Sequence, residues 1–349
     1  MASVVVERRG PKDDEELFRL YGDVFGTPLA DSSRGRWRWQ YLDNPANADG
    51  PEIWIARDGE ALLGQYASMP VRLWWGDAEL RSSWGMDVFV NAAARGRGVG
   101  AQLFTTWSDN VEVALGLGLT PSSYGLFKKL RYDDVGPIPF YQKVLDARAV
   151  ATRRLGKTFG PFVAPALRAA LAVVARERAP VSRGVNVSRV SSFGAEYDAL
   201  WDKARVSYAM CVRRDAAYLN WKYVAVPHRG YDLLEARRGE TLVGFAVARQ
   251  EDYRGTRLGW IVDVFAHAED DGAQDALVSS ILAEFRATGV ARVQCFAMNR
   301  SLGRVLRRRG FLAGRSPMQF CVRARGSARA PLADLERWHV VFGDSDMDR

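Results

Sequence analysis

The stretch that decides the fold is GMDVFVNAAARGRGVGAQLFTTW, residues Gly85–Trp107. Met86 to Val90 reads as a buried strand and Asn91 to Gly98 as a turn. From Val99 the chain reads as a helix, because Val99, Leu103, Phe104 and Trp107 recur at the spacing of one helical face. The turn carries Arg95, Gly96, Arg97, Gly98, Val99 and Gly100, an R-x-x-G-x-G run. Glycines let main chain approach a bulky anion and adopt positive φ, and a helix start aims unpaired N–H groups and its positive dipole end the same way. A pyrophosphate is the expected occupant. The spacing reverses that of the dinucleotide run G-x-G-x-x-G, no βαβ unit with a ribose-binding acid is evident, and the Lys-Ser/Thr ending of a P-loop is missing.

The flanking chain extends this reading. Asp13 to Phe25 places Leu17, Leu20, Tyr21 and Val24 at helical spacing with acids in the first turn. GRWRWQYLDNP (35–45) follows, then strands at Ile53–Arg57 and Leu62–Leu73 around the hairpin signal Asp58-Gly59. Gly76-Asp77 turns the chain into Leu80–Trp84 and the central strand. Beyond the helix come a strand at Val113–Leu119, a short helix from Pro121 to Leu130, and a strand at Ile138–Leu145.

The second half repeats this text. Leu20-Tyr21 recurs as Leu200-Trp201, Trp39-Gln40-Tyr41 as Trp221-Lys222-Tyr223, Leu63-Gly64 as Val243-Gly244, and Asp87-Val88-Phe89 as Asp263-Val264-Phe265. Leu130-Arg131-Tyr132 recurs as Arg309-Gly310-Phe311, and all offsets lie between 176 and 182 residues. So regular an offset implies two copies of one fold. In place of the glycine turn the second copy has His267 to Asp271 and then Gly272, one glycine with three acids that would repel a pyrophosphate.

At Arg95, Gly98 and Gly100, placed between a central strand and a helix, the sequence resembles the GNAT superfamily of acyl-CoA N-acyltransferases, whose signature is R/Q-x-x-G-x-G/A. The order of elements is also that of the family. The resemblance implies an α+β (α/β) fold of two tandem domains, each a mixed, mostly antiparallel sheet flanked by helices. The boundaries expected are an acyl-CoA-binding domain at 1–145, a linker at 146–192, a degenerate copy at 193–325 and a tail at 326–349. Within the linker, Pro161 to Ala175 is almost uniformly apolar between Arg153, Arg154, Lys157, Arg176 and Arg178. Too short to span a bilayer, it reads as a helix packed between domains, with attachment to a membrane surface as the alternative.

Composition sets the outer bounds. The 349 residues suit two ordinary domains, and 48% hydrophobic with 26% charged residues is a globular balance. The opening MASVVVERRGPKDDEE lacks the basic segment and long apolar run of a secretory signal. Cys211, Cys295 and Cys321 are scattered and odd in number, so a reducing cytoplasm is expected. His228, His267 and His339 have no metal-ligand spacing, and no metal is expected. The net charge of +8, mostly arginine, favours anionic partners such as CoA phosphates, nucleic acid or anionic lipid, and nucleic acid is the least expected of them.

Acyl transfer from a thioester to an amine needs a bound acyl-CoA, removal of an ammonium proton, a donor for the developing oxyanion and a proton for the thiolate. By the resemblance, the thioester carbonyl meets the amide of Phe89 or Val90. Asp87, the only ionisable side chain in an apolar strand, is the candidate base, since burial raises a carboxyl toward the range useful for proton abstraction. Its recurrence as Asp263 argues instead for a structural carboxylate. The family's leaving-group acid is a Tyr in an L-Y-x-K-x-G-F pattern, and the matching text here, Leu126 to Tyr132, has Phe127 in the Tyr place. Tyr124, three residues earlier on the same helical face, is the candidate substitute, and Ser122 or Ser123 would cap the helix or touch the pantetheine. The expected cofactor contacts are Phe89, Val90, Arg95, Gly96, Arg97, Gly98, Val99, Gly100, Ser123 and Phe127.

Trp37, Trp39, Tyr41, Trp54, Tyr66, Trp74, Trp75 and Trp84 are expected to pack a core, with the wall of an acceptor pocket, on the side the family forms from its first helices and early strands, as the alternative for some of them. Asp344, Asp346 and Asp348 read as a solvated acidic tail. The leading function is an N-acyltransferase using acetyl-CoA or another acyl-CoA on a small amine such as an amino sugar or specialised metabolite. The alternatives are a Fem-like aminoacyl-tRNA-dependent transferase, also a tandem fold, and a non-catalytic acyl-CoA-binding scaffold.

Overall fold

The computed structural model describes residues 4–25, 27–47, 50–181, 184–325 and 332–346. In chain order these form β1 (Val5–Arg8), α1 (Asp14–Phe25), α2 (Thr27–Tyr41), β2 (Ile53–Asp58), β3 (Ala61–Trp75), β4 (Ala78–Val90), α3 (Val99–Asp109) and β5 (Val113–Leu117). Next come α4 (Pro121–Lys129), β6 (Asp133–Pro137), β7 (Phe140–Val144), α5 (Ala147–Val174), β8 (Asn186–Val190), α6 (Glu196–Ala204), β9 (Met210–Val212) and α7 (Ala216–Leu219). The rest is β10 (Asp232–Arg238), β11 (Thr241–Tyr253), β12 (Thr256–Ala266), α8 (Asp271–Ala287), β13 (Arg292–Phe296), α9 (Arg300–Arg308), β14 (Leu312–Gly314), β15 (Gln319–Ala324) and β16 (Trp338–His339).

Two compact units result. The first comprises Met1–Pro137, Asn220–Arg229 and Met318–Leu332, and the second Ile138–Leu219, Gly230–Pro317 and Ala333–Arg349. The first sheet runs β1-β2-β3-β4-β5-β15-β6 and the second β8-β10-β11-β12-β13-β7-β14. Along each path only one pair is parallel, β4 with β5 and β12 with β13, so each sheet is mixed and mostly antiparallel with helices flanking it.

The duplication is visible in register. Gly64 pairs Val90 and Gln65 pairs Phe89 in one sheet, as Gly244 pairs Ala266 and Phe245 pairs Phe265 in the other, and each hairpin carries a bulge nearby. Arg131 and its counterpart Gly310 both take positive φ, 60° and 75°. Trp39 and Trp221, both in the first unit, stack with centroids 5.1 Å apart, and each indole N–H donates to the other's carbonyl at 2.7 and 2.8 Å.

The simple boundary at 145 does not hold. β7, read as the closing strand of the first sheet, pairs with β13 and β14 in the second, while β15 from the far end of the chain fills the corresponding place between β5 and β6. Ile138-Pro139 alone links β6 to β7. A two-residue hairpin needs positive φ, which proline cannot adopt, so the chain runs on instead of reversing. The segment 146–192 is likewise no simple linker, since α5 and β8 both belong to the second unit. The outer face of α5 is not packed as expected either, with Phe162 82% and Phe159 68% exposed.

The core of the first unit joins the inner face of α3, Val99, Leu103, Phe104 and Trp107, to Tyr66, Ala114, Phe127 and Tyr132. Trp37, Trp39, Tyr41, Tyr66, Trp74, Trp75 and Trp84 are all buried, so the aromatic cluster is packing. β3 is buried along nearly its whole length, which is why its sequence reads as a continuous apolar run. The acidic tail departs from expectation: Asp344 is buried beside Arg214, and Asp348 lies outside the described residues.

Candidate active site

β4 and β5 are hydrogen-bonded only at Ser82–Val113, Ser83–Ala114 and Trp84–Leu115. β4 continues to Val90 and β5 to Leu117 without further pairing, so the two strands part after Trp84. At the parting, Asp87 takes φ of 39°, a conformation costly for a residue with a Cβ, inside the bulge between the Gln65 and Ala67 pairings. The strain is held by side chains. Asp87 is half-buried, and its carboxylate accepts hydrogen bonds from the hydroxyls of Tyr41 at 2.7 Å and Tyr21 at 3.3 Å. Gln65, fully buried, donates to the Asp87 carbonyl at 3.2 Å and the Tyr21 hydroxyl at 3.3 Å. Tyr21 in turn stacks edge-on against Phe89, with centroids 4.6 Å apart.

Between Phe89 and Val90, the main-chain direction selects Val90. The Asn91 amide donates to the Leu63 carbonyl on β3 at 2.7 Å, and a Cβ on Gly64 would lie 2.6 Å from the Phe89 carbonyl oxygen. Main-chain groups alternate in direction along an antiparallel strand, so the Val90 N–H points away from β3 into the opening beside β5. The close approach at Gly64 is one that only a residue without a side chain permits.

The glycine turn follows at once. Asn91 caps its first bend by accepting from the Ala93 amide. Gly96 and Gly98 take φ of 81° and 80°, and nothing lies within 4 Å of where their Cβ atoms would be. Gly98 is the N-cap of α3. Among the described residues, the amides of Gly96, Gly98, Val99 and Gly100 have no internal acceptor, and Arg95 is exposed with no carboxylate partner. Arg97 is committed to Asp58 at 2.6 Å, which ties the turn to the end of β2. Four free amides, open space over two glycines and one unpaired guanidinium fit a pyrophosphate.

On α4 the picture is different. Thr120 caps the helix by accepting from the Ser123 amide at 3.2 Å, and Ser123, half-buried, lies in its first turn. The expected cofactor contact of Phe127 fails: its ring is 2% exposed, packs on Phe104 and Tyr132 at 4.7 and 4.6 Å, and covers Gly116. It belongs to the core because it lies on the apolar face of α4. Tyr124 is half-buried and its hydroxyl donates to Asp134, which also accepts from Gln319 at 2.5 Å. That bond to Asp134, with some burial, pushes the phenol up to about 12. Proton donation to a thiolate near the ordinary thiol value of about 8.5 is then uphill, which counts against the acid role expected of Tyr124.

The sequence reading passed over Tyr21, Tyr41, Gln65 and Asp134. Tyr21 and Tyr41 did fall at matched positions of the internal repeat, opposite Trp201 and Tyr223, but nothing in the linear text brings two helices and a strand onto one carboxylate. The aligned place in the second unit has no opening. Asp263 is buried, bonded to Arg214 at 3.0 Å and to His339 at 3.4 Å.

Strand parting, a bulged carboxylate, an amide turned away from β3 and a turn of unpaired amides thus lie together along β4 and the start of α3. The pattern of the acetyltransferase (GNAT) domain family matches residues 7–133. The chain's fold is similar to the GCN5-related N-acetyltransferase of Anabaena variabilis, at 13% identity over 92% of this chain and 73% of that one, with a TM-score of 0.63. It is also similar to a probable N-acyltransferase of Enterococcus faecalis, at 12% identity over 92% and 73%, TM-score 0.61. A third likeness is the N-myristoyltransferase of Saccharomyces cerevisiae with bound myristoyl-CoA, at 12% identity over 93% and 84%, TM-score 0.55. No curated protein sequence matches the chain.

Proposed function

We propose that the first unit transfers an acetyl group, or another acyl group, from CoA to the amine of a small molecule such as an amino sugar or specialised metabolite. The observation that carries the reading is the parting of β4 from β5 immediately before a turn of four unpaired amides. In this reading the amides of Gly96, Gly98, Val99 and Gly100, with Arg95, hold the pyrophosphate, and the thioester enters the opening beside Val90. The amine nitrogen attacks the carbonyl carbon and the C–S bond breaks. The Val90 N–H donates to the oxygen as it gains charge, an interaction stronger in the transition state than in the bound substrate.

Asp87 takes the ammonium proton. The two tyrosine hydroxyls fix its orientation, and its half-exposed position leaves it reachable from the opening. With Tyr124 held by Asp134, the departing thiolate takes its proton from water. Phe127, in the family's Tyr place, supplies packing and no proton.

Titration calorimetry with acetyl-CoA tests this. The expected result is one molecule bound per chain, binding weakened at least about 100-fold by Gly98→Asp, and binding unchanged by Gly272→Asp in the second copy. Two molecules per chain, or indifference to Gly98→Asp, overturns it. Incubation with an amine library and a thiol reagent then separates turnover from mere binding, since a scaffold releases no CoA.

A further inference from the structure

The second half of α5 presents two apolar faces, and only one is used. Gly156, at φ 80° and ψ 169°, breaks the helix. Gly160 then sits so close to the preceding segment that a Cβ there would lie 2.2 Å from the Thr152 Cα. This contact folds the later segment back onto the second unit. Gly160, Ala164, Leu167 and Leu171 recur every three or four residues on the inner face. Leu167 and Leu171, with Val144, Val150 and Leu312, line an apolar groove of about 540 Å³ against the edge of the sheet.

The outer face is apolar too. Phe159, Phe162, Ala166, Val173 and Val174 fall on one stripe at i, i+3, i+7, i+14 and i+15. Phe159 is 68% exposed, Phe162 82%, Val173 79% and Val174 63%. Large side chains left in water along four helical turns make a contiguous patch of the kind that marks an interaction surface.

Charge identifies the partner. From Ala147 to Arg176 the chain has six bases, Arg148, Arg153, Arg154, Lys157, Arg168 and Arg176, and no acid. Among the described residues none of the six pairs with a carboxylate. Arg154 also lines the groove together with Arg292, whose guanidinium is pushed below its ordinary value by burial and by the neighbouring Arg153 and Arg154. Arg153 stacks over the Tyr253 ring at 4.9 Å and Arg292 donates to Gln142 at 3.4 Å, so the three guanidiniums beside this apolar surface have neutral partners only and suit an anion. Packing of this face on a second copy of the chain would set base against base with no acid to answer them, whereas an anionic lipid surface supplies both partners at once. α5 is long and apolar enough to cross a membrane, but Ala151 and Ala164 are buried and Leu167 and Leu171 line the groove, so the helix is proposed to lie on the domain with its outer face toward the lipid.

We propose that the outer face of α5 docks this protein on anionic membranes, with Phe159, Phe162, Val173 and Val174 entering the interface and Arg153, Arg154 and Arg292 meeting lipid headgroups. The proposal does not depend on the transferase reading.

The test is co-sedimentation of the full chain with vesicles of equal parts phosphatidylglycerol and phosphatidylcholine, against phosphatidylcholine alone. Binding is expected only to the anionic vesicles. It should fall at least about tenfold with Phe159→Glu/Phe162→Glu and about thirtyfold with Arg153→Gln/Arg154→Gln, at unchanged thermal midpoint and unchanged acetyl-CoA titration. No binding to anionic vesicles overturns the proposal, as does wild-type binding by the phenylalanine variant. A concentration-dependent dimer in sedimentation velocity that Phe162→Glu abolishes would also overturn it, by assigning the stripe to a second copy.

Discussion

The two units carry the same strand parting, and they treat it in opposite ways. In the first, β4 leaves β5 after Trp84, and half-buried Asp87, Val90 and a turn with four unpaired amides follow along the chain. In the second, β12 leaves β13 after Ile261–Cys295, and the chain's own end enters the gap. Met298 donates to the Val340 carbonyl at 3.0 Å, Ala297 bridges Val341, and Phe342 stacks against both Trp260 and Phe296, with centroids 4.7 and 5.4 Å away. Where the first turn leaves its helix start bare, Asp270 caps α8 by accepting from Ala273 and is itself paired with Arg238. An internal carboxylate thus stands where a ligand phosphate would. The same backbone serves as a site or as a core according to whether its amides and its cleft are answered from within.

The aligned carboxylates show the consequence. Burial works against an ionised Asp263, yet Arg214 and His339 outweigh it and hold that carboxyl below the usual range. Burial pushes Asp344 up, and burial with Arg214 alongside pushes His339 down. This cluster is a closed structural network. Asp87 has phenols for partners and keeps access to the opening.

The largest expected effect lies in the sealed cleft. Arg214→Met leaves Asp263 and Asp344 buried without their cation and should lower unfolding free energy by about 3–5 kcal/mol, measured by denaturant titration. A loss below about 1 kcal/mol would mean that the network is not what closes the second unit. Next comes Asp87→Asn, expected to cut turnover about 100-fold while costing no more than about 1.5 kcal/mol of stability. A variant that loses stability but keeps turnover would make Asp87 a second Asp263 and erase the contrast. The smallest is Tyr124→Phe. With its proton already held by Asp134, turnover should stay within about threefold, and a loss of about tenfold or more would restore Tyr124 as the thiolate's acid.

The order of elements and the glycine turn were legible because their signals are local. Apolar spacing marks α3, positive φ calls for glycine at 96 and 98, and a proline starts α4. The duplication was legible because it repeats short-range text. β1 and β6 went unread, both short and largely exposed edge strands with little apolar signal. Phe127 was placed correctly on its helix and wrongly against the cofactor, since position along α4 does not say which side of the helix faces the core.

Sequence alone thus determined the two-fold fold plan, the glycine turn and its loss in the second copy, because each rests on residues within a few positions of one another. Only the tertiary structure decided that β7 and β15 exchange sheets, that Tyr21, Tyr41 and Gln65 converge on Asp87, and that the chain's end seals the second cleft. Those outcomes join residues tens to hundreds of positions apart. What selects them is burial and the pairing of buried polar groups, which acts on neighbours in space and leaves little trace in the order of residues along the chain.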